Sequence, residues 1–199
     1  MSRARTAVGQ DADGNSVLPK TRNGYYGLAG SGWGSDWRDF RTLVRRADGA
    51  PLGEGIDLLT EALDLVEEGV PLSDLPPDGY SWALTDLQDL VIARIVDAAE
   101  TLAERALDAG DPARVEYAAR KGLAVSPCRE ALWRARMQAA ADTADRDALK
   151  RAYEGAKRAA RSLDPLGEPD PETTRLYHSL LRLLSGGGPL NPTATALHG

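Results

Sequence analysis

Two helix boundaries inside one short stretch constrain this chain more than any other feature. Residues 107–133 read LDAGDPARVEYAARKGLAVSPCREALW. Gly110 supplies the left-handed residue that stops one helix. Asp111 is suited to cap the next, and Pro112 to its first position, where a missing N–H costs nothing. Ser126-Pro127 ends that helix, because Pro127 disfavours helix at Ser126 but suits the start of another. The spacing puts Val115, Ala118, Ala119 and Leu123 on one face. Small residues at Ala118, Ala119 and Gly122 let neighbouring helices approach closely. Leu132 and Trp133 then open a third apolar stripe. A chain that turns back this often stacks helical hairpins, none of which buries its own apolar face alone.

The same periodicity runs through most of the chain. Asp36 is suited to cap a helix with Trp37, Phe40, Leu43 and Val44 on one face. Pro51 opens a second helix, expected to run to Glu68 with Ile56, Leu59, Leu63 and Val66 inward and Gly69 as its stop. Residues 70–82 form a Pro-rich loop whose apolar residues predict that it is strapped onto the helices. The longest helix is expected over 81–109. Its stripe of Leu87, Val91, Ile95, Ala98, Leu102 and Ala106 is widened by Leu84, Ile92, Val96, Ala99 and Ala103, which makes it central. Further helices are expected over 112–125, 127–141, 145–163 and 172–184. The sixth should turn Leu149, Tyr153, Ala156, Ala160 and Leu163 inward. The expected fold class is therefore all-α, a tetratricopeptide-like stack of about seven helices. Pro127 and Pro165 close hairpins 38 residues apart, slightly longer than the tetratricopeptide period of about 34.

Before Asp36 the pattern changes. Asn23-Gly24 lies between strand-prone residues 17–21 and 25–28, a hairpin signal because both residues tolerate positive φ. Pro19 would make the first of these an edge strand. The expected organisation is 1–35, a loose N-terminus with a short β-hairpin; 36–184, the helical domain; and 185–199, a tail without periodicity.

Composition sets limits on function. Thirty acidic against 24 basic side chains give a net charge of −6, which argues against unaided binding to a nucleic-acid backbone. One cysteine provides no disulfide framework and fits a reducing compartment. No apolar run is long enough to span a membrane, and MSRARTAVGQ lacks the apolar centre of a signal peptide. A cytoplasmic location is expected, with no membrane contact in this segment.

Residues 79–140 resemble the bacterial transcriptional activator domain, the tetratricopeptide-like module of antibiotic regulatory proteins. The family elements appear here as Asp36-Trp37 with Phe40, residues 62–72 with their AL-x-L-V-x-x-G-x-P-L pattern, and the A-L-x-x-G-D of 106–111. Pro127 to Trp133 (P-x-R-E-x-L-W) and Asp170 to Tyr177 (D-P-E-T-x-x-L-Y) complete the set, so the resemblance covers 36–184. The second hairpin turn, Ala141-Asp142-Thr143-Ala144, departs from the family pattern in carrying no Gly. Residues 17–29 resemble the terminal wing of the winged-helix domain that precedes this module, whose recognition helix would lie before Met1. Asp11 to Pro19 with Asp36 to Phe40 is closest to a subgroup that also carries a LysM peptidoglycan-binding segment. The resemblance implies regulation through protein contact, with an upstream domain of the same polypeptide or another protein as partner, possible homodimerisation, and no DNA binding by this fragment alone.

No catalytic constellation is present. Cys128 begins a helix without a partnering His or Asn, and His178 and His198 have no metal-ligand spacing. Asp36, Asp39, Asp57, Glu61, Asp86 and Asp89 lie at caps or on polar faces. Gly30–Gly34 is not followed by the Gly-Lys-Ser/Thr of a phosphate loop. No enzyme activity, cofactor or metal is expected. The candidate partner-binding residues are Arg146, Lys150, Lys157 and Arg161, four cations on one helix face thickened by Arg151 and Arg158. Tyr25, Tyr26 and Trp33 are a second candidate, an apolar patch for an upstream domain. Trp37, Phe40 and Trp133 are expected as core anchors. The rival expectation is a freestanding peptide-binding adaptor, using a groove between 112–141 and 145–163 in which Ala dominates.

Overall fold

The computed structural model describes residues 10, 14–16, 35–66, 69–71 and 81–186, with only the backbone at 81–84. Among these residues the chain forms seven α-helices: α1 (Asp36–Asp48), α2 (Leu52–Asp64), α3 (Ser81–Asp108), α4 (Pro112–Val125), α5 (Glu130–Asp142), α6 (Arg146–Leu163) and α7 (Pro171–Gly186). No strand occurs among the described residues, only an isolated antiparallel bridge between Gln10 and Ser16. The expected hairpin at 17–29 and residues 187–199 lie outside them. The chain divides into two compact units, Met1–Asp39 and Phe40–Gly199; the stack from α2 to α7 belongs to the second.

Local chemistry explains the turns. Gly110 takes φ +66°, and the Asp111 N–H closes the end of α3 on the Ala106 carbonyl at 2.8 Å. Asp111 Oδ1 then accepts the Arg114 N–H at 3.0 Å and caps α4. Ala144 takes φ +54°, the Asp145 N–H reaches the Ala140 carbonyl at 2.8 Å, and Asp145 Oδ1 accepts the Ala148 N–H at 2.8 Å. The two turns are one turn repeated 34 positions on, with Ala144 doing what Gly110 does. The register persists inside the helices. Val115, Ala118, Gly122 and Val125 are buried on α4, and Leu149, Ala152, Ala156 and Ala159 on α6.

The 38-residue spacing of Pro127 and Pro165 overstates this repeat because Pro127 does not begin α5. Residues 127–129 form a turn, with the Arg129 N–H on the Ser126 carbonyl at 3.2 Å, and Arg129 is the N-cap. The second helix is also shorter than expected. It ends at Asp64 because the N–H groups of Leu65 and Val66 bond to Ala62 and Leu63, three residues back.

α3 is central: it packs on α2, α4 and α5 and buries Ile95, Ala98, Ala99, Leu102 and Ala106. Leu87, expected inward, is 41% exposed, as is Leu90 at 48%. At about 1.5 Å per residue, the 13 residues of α2 and 14 of α4 cannot cover the 28 of α3. The Pro71 carbonyl accepts from Gln88 Nε2 of α3 at 2.8 Å; residues 72–80 of the expected strapped loop lie outside the described residues. On α6 the buried row is Leu149, Ala152, Ala156 and Ala159, and Leu163, expected inward, is 77% exposed. Ala160 is half-buried, and Tyr153 stacks on Tyr177 of α7 at 4.0 Å. Of the expected core aromatics, Phe40 is buried while Trp37 and Trp133 are half-buried.

Polar side chains join α2 to α4. Arg114 donates to Thr60 Oγ1 and lies 3.5 Å from Asp57, the Tyr117 hydroxyl donates to Asp64, and Lys121 Nζ donates to the Val66 carbonyl at 2.6 Å. One face of α4 thus runs along one face of α2. Arg105 of α3 passes over Gly55 and donates to the Ala47 carbonyl at 2.9 Å, a cation at the C-terminal end of α1.

Candidate docking grooves

The first helices of successive hairpins share a face. α5 packs against both α3 and α7, and between the three lies a groove of about 630 Å³. Its apolar lining comes from Ala103, Leu107, Leu132, Ala135 and Leu176, and its polar lining includes Glu104, Arg134, Gln138 and Arg175. Arg134 donates to Thr173 Oγ1 at 3.2 Å and lies 3.7 Å from Glu172. Thr173 is fully buried, so this contact holds Arg134 in place. Glu100 receives Arg129 through two bonds of 2.6 and 3.0 Å. That carboxylate, through its hydrogen bond first and its charge second, raises the Arg129 pKa above its usual value. The adaptor expectation named a different groove, between 112–141 and 145–163, where a smaller depression of about 320 Å³ is lined by Glu116, Arg136, Ala140, Ala148 and Ala152. The hydrophobic periodicity of α3, α5 and α7 marks their buried stripes but not which outer faces line up.

A second depression of about 400 Å³ is lined by Trp133 and Arg136 of α5 and by Lys150, Arg151, Glu154 and Arg158 of α6. The indole N–H donates to the Pro127 carbonyl at 2.8 Å. The ring approaches Gly155 so closely that a β-carbon there would lie 2.4 Å from it. The Arg136 guanidinium sits 5.2 Å from the ring centroid and is gripped by both oxygens of Glu116, with Nε at 2.7 Å.

The four predicted cations of α6 sit in different local surroundings. Arg146 is exposed at the helix start. Lys150 lies 3.9 Å from Asp147 and lines the depression. Lys157 lies 3.4 Å from Glu154 and 5.9 Å from the Tyr153 ring centroid, and Arg161 pairs with Glu168 at 3.0 Å. Arg136 was not singled out from the sequence, although its i,i+3 relation to Trp133 was there to be read. Tyr25, Tyr26 and Trp33 lie outside the described residues.

The remaining chemistry is sparse. Cys128 is half-buried and donates its thiol to the Ala159 carbonyl at 3.3 Å. Glu130 accepts the Asp170 N–H at 3.1 Å through Oε1, while Oε2 is buried without a hydrogen-bond partner. Among the described residues no group of three or more His, Cys, Asp or Glu side chains is placed to hold a metal ion. No helix among them is long and apolar enough to cross a membrane.

Residues 35–181 match the family model of the bacterial transcriptional activator domain. No curated protein and no solved structure matches the chain.

Proposed function

The chain belongs to the bacterial transcriptional activator domain family, and from that membership we propose a non-enzymatic regulatory module that docks a partner segment along the groove of α3, α5 and α7. The observation that carries this reading is the groove itself, an apolar floor spanning three alternate helices with polar groups at its rim. Such a surface suits an amphipathic segment, whose apolar side chains the floor accepts and whose polar groups the rim orients. The 34-position repeat of the capped turns supports a tetratricopeptide-like stack. The partner is an upstream domain of the same polypeptide or another cytoplasmic protein, and a second copy of the chain is the homodimeric case. A LysM segment elsewhere in the polypeptide belongs to the same reading.

A photo-cross-linking side chain at Gln138, in the groove, tests it against the same probe at Ala124, exposed on α4. Adducts from Gln138 alone support groove docking, and their mass separates a second copy from another protein. Equal labelling at both positions, or none at Gln138, sinks it. A second reading, a freestanding peptide adaptor, is favoured by Arg134, Gln138 and Arg175, which can hydrogen-bond a peptide main chain. A groove variant that changes the transcription of no gene in the native cell would favour the adaptor.

A further inference from the structure

We propose that the Trp133 depression between α5 and α6 is a second docking site, separate from the α3, α5 and α7 groove, and that it takes an acidic segment of a partner protein. The chain carries net charge −6, yet α6 holds six cations against two carboxylates. Folding adds Arg136 from α5, so four cations and one carboxylate surround the indole. The floor is rigid, because Gly155 lets the ring approach the α6 backbone and the Pro127 carbonyl holds its N–H. Arg136 is a fixed charge over that ring, clamped by Glu116.

The other cations are loosely held. Lys150 to Asp147 is 3.9 Å and Arg151 to Asp145 is 3.7 Å, both exposed pairs. Among the described residues no carboxylate pairs with Arg158. Exposed pairs of this kind contribute little, so a ligand carboxylate displaces the local one at small cost. A duplex fits less well. It requires a broad basic surface, whereas Glu116, Glu154, Asp145 and Asp147 interrupt this one and would repel a continuous phosphate chain. A peptide with carboxylates a few residues apart meets the cations and avoids those acids.

The test uses the full 199-residue chain and a fluorescein-labelled hexaglutamate peptide, followed by anisotropy. Saturable binding that weakens with salt is expected. Lys150→Glu with Arg158→Glu should weaken it by about tenfold or more, through like-charge contact. Arg158→Gln alone should weaken it about two- to threefold. Both positions are exposed, so the thermal melt should not move. Arg175→Glu, in the other groove, should leave binding unchanged. The proposal is overturned if the peptide does not bind, if the double reversal leaves binding intact, if Arg175→Glu abolishes it, or if a DNA duplex binds more tightly at the same salt.

Discussion

Trp133 and Gly155 meet across α5 and α6 at a distance only glycine allows. A β-carbon on Gly155 would lie 2.4 Å from ring carbon Cζ3 and 2.5 Å from Cη2. Gly155→Ala gains about 1 kcal/mol in helix propensity, but overpacking costs typically 1–3 kcal/mol. A net loss in urea unfolding is expected, with a shift in Trp133 fluorescence. Gly53→Ala is the control. Nothing lies within 4 Å of a β-carbon there, so that change should not destabilise, with a gain below the ~0.5–1 kcal/mol of a mid-helix site because Gly53 lies in the first turn of α2. If both substitutions stabilise, the close approach is wrong.

The paired turns predict opposite outcomes for reciprocal substitutions. Ala144 holds φ +54° where Gly110 holds φ +66°. A left-handed Ala is disfavoured by roughly 1–2 kcal/mol. Ala144→Gly should therefore raise the melting temperature, and Gly110→Ala should lower it. Loss of stability in Ala144→Gly would show that the turn is not strained.

Tyr117 should make stability fall at high pH. Burial first, then its hydrogen bond and charge interaction with Asp64, raise its pKa well above the usual value for a phenol. The unfolded chain releases that proton above about pH 10, while the folded chain keeps it. The stabilisation is thus full below about pH 10 and is lost as pH rises further. Spectrophotometric titration of the folded chain should show the Tyr117 phenol ionising late. Tyr117→Phe should remove it and flatten the alkaline loss of stability. An unchanged titration curve would refute the assignment.

The register of α6 gives a simple pair of measurements. Leu149→Ala, at a fully buried position, should cost about 2–5 kcal/mol in denaturant unfolding. Leu163→Ser, 77% exposed, should stay within about 0.5 kcal/mol of the parent. Comparable losses at both sites would restore the register expected from periodicity.

Part of the candidate sites could be read without coordinates. Lys150, Arg151 and Arg158 stood out as cations on one helix, and Trp133 as an aromatic in an apolar stripe. That Arg136 covers the indole and Glu116 clamps Arg136 depends on how α4, α5 and α6 lie together. The wider groove was not legible for the same reason. Its lining comes from three helices of which no two are adjacent in the chain.

The amino-acid order by itself determined that the chain is helical and where several of its turns fall, though not the end of α2 or the start of α5. Asp111, Pro112 and Asp145 act on backbone groups within four residues, so their preference for a helix start is local and readable from order alone. The tertiary structure decided the registers and the surfaces. Arg114 meets Thr60, Lys121 meets the Val66 carbonyl, and Trp133 meets Gly155 only after helices have stacked. Apolar spacing says that a helix has a buried side. Which neighbour covers it, and how far along, is settled by the volumes of side chains that meet across the seam.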